Sequence, residues 1–210
     1  MSLRVIVADD HALVREGFRA LLERKGFAVV GEAVNGADAV HLSAALKPDI
    51  ALLDLSMPLL NGVDAGREIQ RTCKDTHVVL LTMHTEDHLM AAALRAGIRA
   101  YVLKSQASED LVLAIRAVMK RQTYLSPGIS RYADEAYDKG GLPPADRLAR
   151  RERQVLQLVA EGKTSKEIAE LLGLSAKTAE SYRARVMGKL DIHDTAGLVR
   201  YAIRTGMIEA

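Results

Sequence analysis

Cysteine is almost missing. Cys73 is the one thiol in 210 residues, which excludes an intrachain disulfide and any cysteine-rich zinc site. It follows a helical pattern from Ala65 to Thr72 with no histidine beside it, so it reads as a structural cysteine rather than a reactive one. Long hydrophobic runs are missing too. Ile50 to Leu53 and Val78 to Leu81 fall far short of the roughly 20 apolar residues that cross a bilayer. The apolar run near the N-terminus is broken by Asp9 and Asp10, so no signal-peptide core is expected. These absences predict a cytoplasmic protein without a membrane partner. An excess of one charge is also lacking, since the formal net charge is +2. The small excess is uneven: residues 1–121 carry 15 Lys/Arg and 15 Asp/Glu, whereas residues 146–210 carry 12 and 9. That bias permits nucleic-acid binding in the second half without demanding it.

What is present is ordinary for a globular protein, with 49% hydrophobic and 27% charged residues. The length suits two domains, each with its own core. In residues 1–121, short apolar runs alternate with longer segments whose apolar residues recur at three-to-four spacing. The runs Arg4 to Ala8, Ala28 to Ala33, Ile50 to Leu53, Val78 to Leu81 and Ala100 to Leu103 predict strands buried on both faces. Leu13 to Arg24, Ala37 to Leu46, Ala65 to Thr72, Asp87 to Arg95 and Glu109 to Arg121 predict helices. Strict alternation implies crossover connections, hence a doubly wound α/β domain on a five-stranded parallel sheet.

The pattern stops at residues 122–146, where Ser126-Pro127-Gly128 and Gly140-Gly141-Leu142-Pro143-Pro144 mark a linker. Residues 147–210 show no strand-like run. Four helices are expected, at Arg150 to Ala160, Ser165 to Leu172, Ala176 to Leu190 and Thr195 to Thr205. Thr164 and Glu167 form a capping-box pair ahead of the second, and Gly162 and Gly173 punctuate the turns.

Ligands of a parallel α/β sheet bind where strands deliver their C-terminal ends. In this sequence those positions hold Asp9 and Asp10, then Asp54, then Thr82, then Lys104. Three carboxylates at one edge repel one another unless a cation sits among them, and their hard oxygens suit magnesium. A carboxylate neutralised in this way can attack phosphorus, with Lys104 and Thr82 supplying a charge and a hydroxyl to the phosphoryl oxygens. The set points to phosphoryl transfer onto aspartate. An aspartate-nucleophile phosphohydrolase would carry a general acid two positions after the nucleophile, where Ser56 stands. His11, His84 and His88 suggest surface roles rather than a zinc site.

Val7-Ala8-Asp9-Asp10-His11, Leu53-Asp54-Leu55-Ser56-Met57-Pro58, Leu81-Thr82 and Tyr101-Val102-Leu103-Lys104 together resemble the receiver domains of two-component response regulators, over residues 3–121. The resemblance implies a flavodoxin-like fold with Asp54 as phosphoacceptor. Asp10 would be a direct magnesium ligand, Asp9 an indirect one, and the Ser56 backbone carbonyl would complete the Mg2+ site. Thr82 and Tyr101 would be a switch pair, and a histidine kinase the phosphate source. The sequence departs from many receivers in having Ser105 rather than proline after Lys104.

Ser165 to Leu172, Gly173-Leu174-Ser175 and Ala176 to Leu190 have helix-turn-helix spacing, with a generic helical hairpin as the alternative. The polar outer stripe of the second helix suits a major groove. The longer string Arg151-Glu152-Arg153-Gln154-Val155-Leu156, Glu161 to Ala169, Leu174-Ser175, Thr178 and Lys189-Leu190 is similar to the DNA-binding domain of the LuxR/NarL (FixJ) family. It implies base-facing positions at Glu180, Ser181 and Ala184 and DNA contacts from Lys166, Lys177, Thr178, Arg183, Arg185 and Lys189. Many relatives carry lysine and histidine where this chain has Glu180 and Tyr182, so a different operator is expected. Leu198, Val199, Ala202 and Ile203 give the last helix an apolar face that fits core packing, while the resemblance implies the alternative, the contact of a homodimer on DNA, with Leu198, Val199 and Ala202 as its candidates. The expected function is a phosphorylation-dependent transcriptional regulator rather than an enzyme, with RNA polymerase a further candidate partner. The alternative is a DNA-binding regulator that works without phosphorylation.

Overall fold

The computed structural model describes residues 2–83, 87–127 and 148–208. His84, the side chain of His88 and residues 128–146 of the expected linker lie outside the described residues. The chain forms two compact units, Met1–Lys139 and Gly140–Ala210.

The first unit alternates strand and helix: β1 (Arg4–Ala8), α1 (Ala12–Arg24), β2 (Ala28–Ala33), α2 (Gly36–Leu46), β3 (Ile50–Asp54), α3 (Gly62–Thr72), β4 (His77–Thr82), α4 (Asp87–Arg95), β5 (Ala100–Leu103) and α5 (Ala107–Met119). A short 3-10 turn, Lys104–Gln106, joins β5 to α5. The strands are parallel, as the alternation predicted, and lie in the order β2-β1-β3-β4-β5. Successive residues of a strand point to opposite faces, so each strand feeds two cores. Val5, Val7, Ile50 and Leu52 pack with Phe18 and Leu22 of α1 and Leu111 and Ile115 of α5. Ile6, Ala8, Ala51 and Leu53 pack with Ala39 of α2, Ala65 and Ile69 of α3 and Met90 of α4. Burial on both faces is why these runs show no polar alternation. Each fully buried Leu or Ile contributes about 1.5 to 3 kcal/mol.

A sixth strand, β6 (Tyr124–Leu125), pairs parallel with Ala100–Tyr101 at the sheet edge. It lies in the segment that reads as linker. Two residues are too short to show a period, and the following Ser126-Pro127-Gly128 resembles a turn.

The second unit has four helices: α6 (Arg150–Ala160), α7 (Ser165–Leu172), α8 (Ala176–Leu190) and α9 (Thr195–Arg204). The Thr164 and Glu167 capping box forms, and Gly173 ends α7 in the left-handed conformation at φ 65°. Val155, Leu156, Leu158 and Val159 of α6 are buried, and α6 packs against α8 and α9. One reading of α9 is corrected. Leu198 and Ala202, candidates for a dimer contact, are 0% exposed within the chain itself. Their side chains belong to the core and cannot meet a partner, while Val199 is half-buried. No described helix is long and apolar enough to cross a membrane.

Candidate functional site

β1, β3, β4 and β5 are neighbours in the sheet, so the residues ending them meet at one edge. Lys104 follows β5, and its Nζ lies 2.8 Å from Asp9 Oδ2 and 2.8 Å from Asp54 Oδ1. Ligand-capable atoms of Asp9, Asp10, His11 and Asp54 lie within 4.8 Å of one another. Asp9, Asp54 and Thr82 are buried, and Asp10 is exposed. Ser56 is half-buried in the loop after β3, and Tyr101 is buried on β5. The edge thus gathers Asp9, Asp10, Asp54, Thr82 and Lys104 as the strand-end reading predicted.

The electrostatics are those of a site short of positive charge. Burial pushes the Asp54 carboxyl up to about 6; Lys104 pulls it down, and Asp9 and Asp10 add to the rise. Burial alone would lower Lys104, but Asp54 and Asp9 outweigh it and hold the ammonium above its ordinary range. When all three carboxylates are ionised, one ammonium leaves two negative charges uncompensated. Such a set suits a divalent cation with oxygen ligands.

His11, expected at the surface beside the acid pair, is exposed, with its Nδ1 3.0 Å from Asp10 Oδ1 and 3.4 Å from Asp9 Oδ1. Two supporting residues escape the sequence reading. Gly62 begins α3 so close to β3 that a Cβ there would sit 2.1 Å from the Asp54 carbonyl oxygen. A Cβ on Gly36 would sit 1.9 Å from the Leu60 carbonyl oxygen, in the loop carrying Ser56. The signal for the two glycines is a repeat: Asn35-Gly36-Ala37-Asp38 and Asn61-Gly62-Val63-Asp64 both start helices. In each, the asparagine side chain accepts from the aspartate N–H three residues on.

The second unit presents a separate polar face. Ser175 caps α8 by accepting from Thr178 N–H at 3.1 Å. Ala179 and Val186 turn inward, leaving Lys177, Glu180, Ser181, Ala184 and Arg185 exposed along the other side. Lys166 is exposed on α7. Three other candidates are committed internally. The Thr178 hydroxyl lies 2.8 Å from Ser175 Oγ, and Arg183 donates to Thr195 Oγ1 at the start of α9. Lys189 Nζ is 2.7 Å from Glu152 Oε2, whose side chain is buried on α6. Lys189, expected as a candidate phosphate contact, is exposed, and its ammonium also serves a buried carboxylate. Burial raises Glu152, but Lys189 and the Ala149 N–H overcome this and hold it below the ordinary range.

Comparison with known proteins agrees with both regions. Residues 5–116 match the response regulator receiver domain, and residues 146–202 match the bacterial regulatory proteins of the luxR family. Response regulator UvrY of Escherichia coli K12 is 39% identical over 99% of this chain and 97% of its own length. Response regulator GacA of Pseudomonas aeruginosa is 36% identical over 99% of each chain. Among solved structures, RcsB of Salmonella enterica serovar Typhimurium, bound to promoter P1flhDC with the phosphomimetic BeF3-, is 32% identical. It aligns with a TM-score of 0.64 over 96% of this chain and 98% of that one. A LuxR-family two-component response regulator from Aurantimonas sp. SI85-9A1 is 36% identical with a TM-score of 0.61, over 65% of this chain and 99% of its own.

Proposed function

The chain belongs to the response regulators that join a receiver domain to a luxR-family DNA-binding domain, and from that premise we propose that Asp54 is its phosphoacceptor. It is a phosphorylation-dependent regulator of transcription. The observation that carries the assignment of Asp54 is the Lys104 bridge, which holds Asp54 and Asp9 at one sheet edge.

Asp54 Oδ attacks the phosphorus of a phosphohistidine on a partner kinase, and the P–N bond breaks as the new acyl phosphate forms. Lys104 then exchanges carboxylate partners for phosphoryl oxygens, and the Thr82 hydroxyl donates to one of them. Asp10 and Asp54, with Asp9 behind them and the Ser56 carbonyl, would hold Mg2+. That ion would offset the charge gathered where donor and acceptor meet. The convergent carboxylates and their net negative charge fit it. Thr82 on β4 and Tyr101 on β5, two register positions apart on adjacent strands, are the proposed switch pair.

Residues 1–121 are the proposed receiver, 122–146 the connection and 147–210 the DNA-binding part. Glu180, Ser181 and Ala184 are proposed to face bases, with Lys166, Lys177 and Arg185 on phosphates. Thr178, Arg183 and Lys189 hold the frame. The RcsB relatives, described as dimers on DNA, support a homodimer on a two-part site. The exposed Ile203 and Arg200 of α9 are available to it.

The test is incubation of the full chain with magnesium and a small phosphodonor, followed by intact mass and by selection from random DNA. One added phosphoryl group is expected, absent in Asp54→Ala, together with tighter DNA binding that weakens steeply with salt. Labelling that survives Asp54→Ala would refute the assignment.

A further inference from the structure

The start of the interdomain connection is paired with β5, the strand that ends just before Lys104. The Tyr124 N–H donates to the Arg99 carbonyl at 2.8 Å, and the Ser126 N–H to the Tyr101 carbonyl at 3.1 Å. Ser126, 0% exposed, is then held by its side chain as well. Its Oγ accepts from the Leu103 N–H at 3.1 Å, one residue before Lys104, and donates to Asp110 of α5. The Tyr124 hydroxyl also bonds Asp110, and burial with this carboxylate pushes its phenol up to about 12. Asp110 is itself buried, so two hydroxyls from the connection solvate a carboxylate that water hardly reaches.

We propose that Tyr124–Ser126 is the output clamp of the phosphorylation site: the contacts that anchor the connection are coupled to Lys104 and loosen when Asp54 is phosphorylated. This inference rests on the function proposed above. In the unmodified chain Lys104 is drawn to Asp9 and Asp54 together, which fixes the end of β5. A phosphoryl group on Asp54 redirects the ammonium, and the first backbone donor upstream of Lys104 is the Leu103 N–H that Ser126 accepts. Covalent continuity does the rest, because the DNA-binding residues follow in sequence from Pro127 onward. Coupling of this kind is reciprocal, so the clamp also biases the phosphorylation equilibrium.

Residue-resolved hydrogen exchange on the full chain tests this at the Tyr124 and Ser126 amides, with and without magnesium and acetyl phosphate. Phosphorylation is expected to speed both amides at least about fivefold, the low end of typical coupling, with no change in Asp54→Ala. A phosphoryl group on Asp54 with these amides unchanged or slowed overturns the clamp. Lys104→Ala without any phosphodonor is the independent arm. It is expected to speed the same two amides, and protection left at the wild-type level overturns the coupling. If the wild-type chain takes up no phosphoryl group, the phosphorylation reading fails, and the Lys104→Ala arm alone decides the clamp.

Discussion

Each unit contains a buried carboxylate paired with a lysine from another element, and the two pairs behave oppositely. In the receiver, Lys104 reaches Asp54 at 2.8 Å; in the helical unit, Lys189 reaches Glu152 at 2.7 Å. Distance does not distinguish them, yet Asp54 is pushed up to about 6 and Glu152 is held below the ordinary range. Company does. Lys104 is shared with Asp9, and Asp10 adds a third negative charge. Glu152 has its lysine undivided and accepts the Ala149 N–H at 2.7 Å as well. A shared cation leaves a carboxylate costly to keep charged and ready to be modified; an undivided one makes a rivet between helices. The reactivity proposed for Asp54 arises from burial with too little positive charge nearby, not from any unusual residue.

Removing each lysine should therefore damage different properties. Lys104→Ala should slow acyl-phosphate formation by about a hundredfold, the usual loss for one preorganised charge at a phosphoryl or oxyanion site. The check is the rate of mass gain with a small phosphodonor. A rate within about threefold of wild type would break the comparison at its reactive end. Lys189→Ala should leave that rate alone and destabilise the helical unit by about 2 kcal/mol. It strands a buried carboxylate, although the lysine's own partial exposure lets water replace some of the loss. Urea unfolding followed by hydrogen exchange in α6 and α8 would measure it.

Proton linkage sharpens the contrast. The folded-state value of Asp54 is raised, so folding binds a proton, and ionised Asp54 costs stability above about pH 6. Asp54→Asn should thus stabilise the metal-free receiver by on the order of 1 to 2 kcal/mol at about pH 8. The gain should fade as the pH drops through about 6 toward 4. Glu152 has the other sign. Its contribution is fully present above the ordinary carboxylate range and is lost only as the pH falls through its lower folded value. Thermal scans of wild type and Asp54→Asn in chelator would show it; a difference independent of pH would mean that burial does not govern Asp54.

The same contrast explains what could be read from sequence. Strands buried on both faces leave uninterrupted apolar runs, so β1 to β5 and the gathering of Asp9, Asp10, Asp54 and Lys104 at their ends were legible together. The Thr164 and Glu167 box and Gly173 placed α7 and the turn with little error. Pairings across the fold were not legible. Nothing local to Lys189 distinguishes a lysine bound for phosphate from one answering Glu152, 37 residues away. Leu198 and Ala202 have the same spacing whether they face a core or a partner. β6 is held by Ser126 and Asp110, partners separated by 16 positions, and so reads as loop.

Glycines give the smallest and cleanest version of the comparison. In the receiver, Gly62 cannot take a Cβ because the Asp54 carbonyl stands in its place. In the helical unit, Gly188 lies inside α8, exposed, and a Cβ added there would meet no atom within 4 Å beyond its own helix backbone and chain neighbours. A glycine inside a helix costs backbone entropy without any packing return, so Gly188→Ala should raise the stability of this unit by about 0.5 to 1 kcal/mol. The contacts proposed for DNA end near Arg185, a turn earlier, so affinity for a selected operator should stay within about twofold of wild type. Melting and a binding titration on the same variant test both halves. A stability gain with weakened binding would extend the DNA face one turn along α8, and no stability gain would show that the glycine meets a need absent from its surroundings.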